Sequence, residues 1–180
     1  MATLDMGCGA AKSPGALGLD RLRLPGVDVI CDLTHFPWPL ADHSAERLIF
    51  NHSIQYLGPF GGLLKELRRV CRDGAIIEIR SPHFSSYNYF SDPLYQFPLA
   101  WRTFDFWSQT SSFTYDYSAR DRLSIDVLQR RIVFNNGLNP WRWLGAEALA
   151  NRFPRLYERF LAFLFPAQEI RFKLRLSAHA

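Results

Sequence analysis

Residues Leu4 to Asp20, LDMGCGAAKSPGALGLD, constrain the fold more than any other stretch of the chain. An apolar run carrying Asp5 breaks at Gly7-Cys8-Gly9, and a second apolar run ends in Asp20. Two strands joined by a glycine turn, the second closed by an acid, make a nucleoside-binding layout. Glycine has no Cβ to hold a ligand off the backbone, and the terminal acid can accept hydrogen bonds from a ribose diol. A dinucleotide fingerprint needs a third glycine, a full helix facing the pyrophosphate and an acid ~20 residues further on. Here Lys12 stands at the third-glycine position, and only Pro14 to Ala16 separate the loop from the next strand. Asp5, just before the glycines, repels phosphate at close range and complements an ammonium or a sulfonium. These departures disfavour a nicotinamide-dependent oxidoreductase.

The stretch resembles the first motif of the class I S-adenosylmethionine-dependent methyltransferases, apolar-acid-apolar-Gly-x-Gly. It is most similar to the type 11-like branch, roughly LDLGCG-x-x-K-x-P-G-x-x-G-x-D, in which the first helix is reduced. The resemblance implies S-adenosyl-L-methionine as cofactor. It places Asp5, Gly7, Cys8 and Gly9 around the methionine moiety, Asp20 at the ribose hydroxyls, Asp32 with Leu33 at the adenine, and Asn51 beside the sulfonium. It also implies a single α/β domain over residues 1–180: a three-layer Rossmann-like sandwich whose seven-stranded, mostly parallel sheet has an antiparallel last strand.

Periodicity along the chain agrees with that architecture. Val27 to Cys31 is a short β-branched run leading into Asp32-Leu33, and Arg47 to Phe50 is a fourth strand ending in Asn51-His52. Between them, Thr34 to Ser44 carries Pro37 and Pro39 and predicts irregular structure. Leu63, Leu64, Leu67 and Val70 recur at helical spacing over Phe60 to Arg72, with Asp73-Gly74 as the stop. Ala75 to Ile79 predicts a fifth strand, and such apolar strands indicate a parallel sheet covered on both faces. Arg130 to Asn135 predicts a sixth strand before a turn at Gly137 to Pro140, and Ala146 to Leu164 a helix broken at Pro154. Glu169 to Leu176 alternates strictly, the strongest strand signal in the chain. Its basic stripe Arg171, Lys173, Arg175 reads first as a solvated face.

The turn after the fourth strand resembles the family's Ser-His-x-Leu-Glu-His pattern, with His52 on its first histidine and Gln55-Tyr56 in place of the Glu-His pair. The least family-like segment is an insertion at about 83–124, dense in aromatic residues from Phe84 through Trp101 to Tyr117. Three readings of it stand open: a wall of an acceptor pocket, a homodimer interface, or a small satellite core. Few basic residues interleave its rings (Arg102, Arg120, Arg122), which disfavours stacking of nucleic acid.

Methyl transfer from a sulfonium asks a protein mainly to align the reactants and exclude water. A base is needed only where the acceptor must lose a proton. The candidates are His83, His52 and Asp92, while His35 and His43 read as surface residues. With 180 residues, 48% of them hydrophobic, and a net charge of +4, the chain is an ordinary globular domain without the imbalance of a nucleic-acid binder. No run reaches the ~18 apolar residues of a membrane span, and the start MATLDMG has no leader pattern. Cys8, Cys31 and Cys71 lack metal-ligand spacing and read as thiols in a reducing compartment. The expectation is a cytoplasmic methyltransferase acting on a small molecule with apolar surface, with no metal, nucleic-acid or membrane partner. The alternative is a non-catalytic S-adenosylmethionine-binding protein or a subunit that activates a partner.

Overall fold

Short apolar runs can satisfy their backbone groups only by pairing with one another. In the computed structural model, which describes residues 2–108, 123–134 and 145–178, seven of them form one sheet. The strands are β1 (Ala2–Met6), β2 (Leu17–Asp20), β3 (Val29–Ile30), β4 (Ala45–Asn51), β5 (Cys71–Pro82), β6 (Leu123–Val133) and β7 (Glu169–Ala178). Their order is β3-β2-β1-β4-β5-β7-β6. β1 to β5 pair in parallel, and β7 runs antiparallel between β5 and β6. The sheet is thus the mostly parallel, seven-stranded one that the sequence predicts. Strand order reverses between β1 and β4, and at such a point the carboxyl ends of the strands open into a crevice.

Among the described residues the α-helices longer than one turn are α1 (Phe60–Val70), α2 (Tyr87–Ser91) and α3 (Ala146–Arg152). Past Phe153, a turn at Pro154–Leu156 and a π-helical turn at Tyr157–Leu161 continue α3, so Pro154 is the break expected there. α1 buries Leu63, Leu64, Leu67 and Val70 in one core with Leu48, Phe50, Ile77 and Ile79. The strand residues alternating with these face the other way. Thr3, Arg47, Ile49, Glu78, Arg80 and Lys173 line an open groove of about 550 Å3. Among the described residues coverage of the sheet is therefore lopsided: β1, β2, β3 and β4 are joined by loops alone. Register also sets Arg80, Arg171 and Arg131 side by side across β5, β7 and β6.

In place of a helix, α1 holds the proline loop before β4. The buried Glu66 carboxylate accepts from the Trp38 backbone N–H (2.7 Å), while the Arg69 guanidinium donates to the carbonyls of Leu40 (2.7 Å) and Trp38 (3.0 Å). The Trp38 indole N–H donates to the Leu33 carbonyl at 3.0 Å, which fixes the approach to the strand tips.

Three boundaries differ from the sequence reading. α1 ends at Val70 and β5 begins at Cys71, because Arg72 to Gly74 form an irregularity inside the strand: Ala45 pairs with Cys71, and Arg47 already pairs with Ile76. β3 keeps only two residues. β6 starts at Leu123, since β7 is long enough to pair along all of it. Asn135, the expected turn at 137–140, and the insertion residues Phe113, Tyr115, Tyr117, Arg120 and Arg122 lie outside the described residues. Cys8, Cys31 and Cys71 are free, and burial pushes the Cys71 thiol up to about 12.

Candidate active site

The glycine turn is built by backbone geometry. Gly7 has φ +75°, and its N–H and that of Cys8 both donate to the Leu19 carbonyl, at 2.8 and 3.1 Å. A Cβ on Gly7 would stand 2.7 Å from the Ser53 Cβ, so the residue is needed for both reasons. At the tip of β2, Asp20 accepts from the Gly9 N–H through Oδ2 and from the Leu22 N–H through Oδ1, each at 2.9 Å. Asp5 is buried; its Oδ2 accepts from the Ser13 N–H at 2.7 Å, while Oδ1 has no hydrogen-bond partner among the described residues.

Two further carboxylates finish this side. Asp28 accepts from the Gly18 N–H and from Lys12 Nζ, both at 2.7 Å, and these bonds hold its carboxyl below the usual range. Lys12 is therefore occupied in pinning the loop. Asp32 accepts from the Thr34 hydroxyl (2.7 Å) and N–H (3.0 Å), and for that reason is also held low.

The facing side comes from the turn after β4 and from the aromatic insertion. His52 leaves the strand with φ +56°, and its Nε2 lies 3.1 Å from Glu169 Oε2. Burial raises the Glu169 carboxyl, but the hydrogen bonds from His52 and Arg171 outweigh it and hold the group low. The Tyr56 hydroxyl donates to Asp92 Oδ2 at 2.5 Å. Desolvation first, and then that bond, push the Tyr56 phenol up, whereas the bonds from Tyr56 and from the Leu94 N–H hold Asp92 low.

Between the two sides lies a cleft of about 520 Å3. Of the residues singled out from sequence, Gly7, Asp20, Asp32, Leu33, His52 and Asp92 line it. Cys8 and Gly9 do not, although Gly9 holds the Asp20 carboxylate and Cys8 is buried behind the turn. Asp5 braces the loop from the other side of β1. Asn51, expected beside the sulfonium, lines the groove on the open sheet face, because strand alternation groups it with Arg47 and Ile49. His83 is fully buried, its Nδ1 2.8 Å from the Ser85 hydroxyl and its Nε2 3.2 Å from Glu158 Oε1. With both ring nitrogens engaged away from the cleft, it is a structural histidine rather than a base. The lining residues that sequence reasoning missed include Arg21, Ser53, Tyr56, Leu94 and Gln96, and in the sequence Tyr56 stands out only as a departure from the family pattern. Among the described residues no cluster of three His, Cys, Asp or Glu side chains is placed to hold a metal ion.

The donor set suits a sulfonium nucleoside. Carboxylates at the ends of β2 and β3 face a cleft opened by a bare-backbone turn, and the buried Asp5 Oδ1 is an acceptor still lacking a donor. Strand order and strand-tip cleft together define a Rossmann-like α/β fold with its ligand crevice at the sheet's switch point. More narrowly, the fold is that of the class I S-adenosylmethionine-dependent methyltransferases. A SAM-dependent methyltransferase from Archaeoglobus fulgidus matches 97% of this chain and 85% of its own, with 18% identity and a TM-score of 0.54. One from Mesorhizobium loti matches 97% and 90%, with 12% identity and a TM-score of 0.55. Haemonchus contortus phosphoethanolamine N-methyltransferase 2, in complex with S-adenosyl-L-methionine, is matched over 49% of its length by 99% of this chain, with 11% identity and a TM-score of 0.56. No protein-family model matches the chain, and neither does any curated protein.

Proposed function

We propose that the protein binds S-adenosyl-L-methionine in the strand-tip cleft and passes its methyl group to a small acceptor with apolar surface. The observation that carries this reading is the pair of carboxylates, Asp20 and Asp32, facing one cleft beside the Gly7 turn. In this reading Asp20 takes the ribose hydroxyls and Asp32 with Leu33 the adenine, while Asp5, outside the cleft lining, acts through the loop that it braces. When bound, the cofactor supplies a methyl group already activated by positive charge on sulfur.

The chain's own part is to orient the acceptor, keep water out and take up a proton. His52 is the base in this reading. Its Nε2–H faces Glu169, which leaves Nδ1 for the acceptor's proton, and the ionised Glu169 stabilises the imidazolium that forms. Tyr56, Asp92, Leu94 and Gln96 form the acceptor side of the cleft. Three free cysteines support a cytoplasmic location.

Incubation of the purified protein with methyl-labelled cofactor and a metabolite extract tests the reading. Transfer of label, lost in His52→Ala while S-adenosylhomocysteine still raises the melting temperature, supports it. Stabilisation by S-adenosylhomocysteine with no transfer across broad acceptors points instead to a binding or partner-activating subunit. Stabilisation by NAD alone rejects both.

A further inference from the structure

The segment from Leu149 to Leu164 turns its apolar side chains toward solvent. Leu149, Phe153, Leu156, Phe160, Phe163 and Leu164 fall at i, i+4, i+7, i+11, i+14 and i+15, the spacing that keeps residues on one side of a helical path. Such a stripe ordinarily faces a core. Here the core takes Ala150, Tyr157 and Ala162, and the stripe is left out: Phe160 is 61%, Phe163 68% and Leu164 67% exposed. Single exposed apolar residues are unremarkable, but a contiguous row of this length marks an interaction surface.

Charge indicates what that surface meets. Arg152, Arg155 and Arg159 are exposed on the same segment. The guanidiniums of Arg152 and Arg159 lie over the neighbouring rings of Phe153 and Phe160, 5.1 and 5.3 Å from the centroids. The segment's one acid, Glu158, is turned inward, accepting from the Trp101 N–H at 2.6 Å and lying against His83. The exposed side is thus apolar with a purely cationic flank. A second copy apposed through the same patch would set arginines against arginines.

We propose that this face docks the protein on an anionic lipid surface, with the Phe and Leu side chains entering the headgroup–acyl boundary and the three arginines meeting lipid phosphates. Among the described residues no helix is long and apolar enough to cross a membrane, and an interfacial segment needs no such length. The absence of a spanning run therefore does not bear on this surface. The inference is independent of the methyl-transfer reading, although a lipid-borne acceptor would suit both.

Co-sedimentation with vesicles tests it, using phosphatidylcholine alone and phosphatidylcholine mixed with phosphatidylglycerol. The protein is expected to sediment with the mixed vesicles, and to be released by high salt. Arg152→Glu/Arg155→Glu/Arg159→Glu should weaken this binding by about a hundredfold or more. Phe160→Ser/Phe163→Ser should abolish it, with circular dichroism confirming that both variants fold. Equal binding to both kinds of vesicle, sedimentation with neither, or undiminished binding by the variants overturns the proposal. So does light scattering that shows a dimer which the Phe160→Ser/Phe163→Ser variant converts to monomer, since the patch would then belong to a second copy.

Discussion

The two sides of the cleft are held by different physics. On the side proposed for the cofactor, Asp5, Asp20 and Asp32 accept backbone N–H groups of nearby loops, and Asp28 accepts that of Gly18 in β2. Parallel strands without connecting helices leave those loop donors unpaired, and carboxylates take the helices' place. On the side proposed for the acceptor the work falls to ring packing. Tyr56 meets Tyr95 edge-on at 4.8 Å, and Phe60 of α1 contacts Phe97 and Trp107, each at 4.9 Å. Asp92, Leu94 and Gln96 reach the cleft while Phe97, Phe104 and Trp107 pack on the sheet and α1, so the described part of the insertion both lines the cleft and adds to the main core. A polar framework of local bonds faces an apolar one of distant contacts.

The largest test of that contrast is Phe104→Ala. Phe104 is 2% exposed and packs edge-on against Phe172 at 5.0 Å, so truncation should cost ~3–5 kcal/mol in denaturant unfolding. The folded fraction should still bind S-adenosylhomocysteine normally; a loss below ~1 kcal/mol would mean that the insertion is not part of the core. Asp20→Ala should act the other way round. Losing two charge-assisted bonds as well as the ligand contact proposed for it, the variant should weaken S-adenosylhomocysteine binding by about a hundredfold in calorimetry, with a smaller effect on melting. Unchanged affinity would remove Asp20 from the site. Tyr56→Phe should lower acceptor turnover by about five- to tenfold and leave cofactor affinity alone, because only the Asp92 bond is lost.

Acid is the mildest perturbation. Asp28, Asp32 and Asp92 have folded pKa values below the ordinary 3.8. Groups depressed in the folded state contribute stability that is complete above their ordinary values and disappears as pH falls through the folded ones. Melting temperature should therefore hold from neutral pH down to about 5 and fall below about 4. Two of these three acids lie on the cofactor side, so amide exchange should loosen there first. Earlier loosening around Tyr95 would reverse the comparison.

The same contrast explains what was legible in the sequence. Leu4 to Asp20 could be read because its turn, strand and acid specify one another within a few residues. The cofactor-side acids Asp20 and Asp32 face the cleft for that reason. Asn51 still follows the strand's alternation; the left-handed backbone at His52 ends it and brings the histidine, not the asparagine, to the cleft. Tyr56 and Asp92 are 36 residues apart, and His83 and Glu158 are 75 apart. No local pattern reports such encounters, so neither the Tyr56–Asp92 bond in the cleft wall nor the burial of His83 beside Glu158 was legible. The lopsided sheet was hidden for a similar reason. Glu78, the one polar residue in the apolar run from Ala75 to Ile79, marks a face shared with Arg47 and Lys173.

β3 has a consequence outside the chemistry. A sheet edge is a row of unsatisfied donors and acceptors on which any extended chain can grow. This edge consists of Val29 and Ile30, approached through Pro25-Gly26 and left through Asp32, which turns to bond Thr34. A visiting strand would find two residues of template and then a charged turn, too little to nucleate pairing. The brevity of β3, two residues where the β-branched run from Val27 to Cys31 offers five, keeps a cleft wall without covering helices from becoming a seed for aggregation.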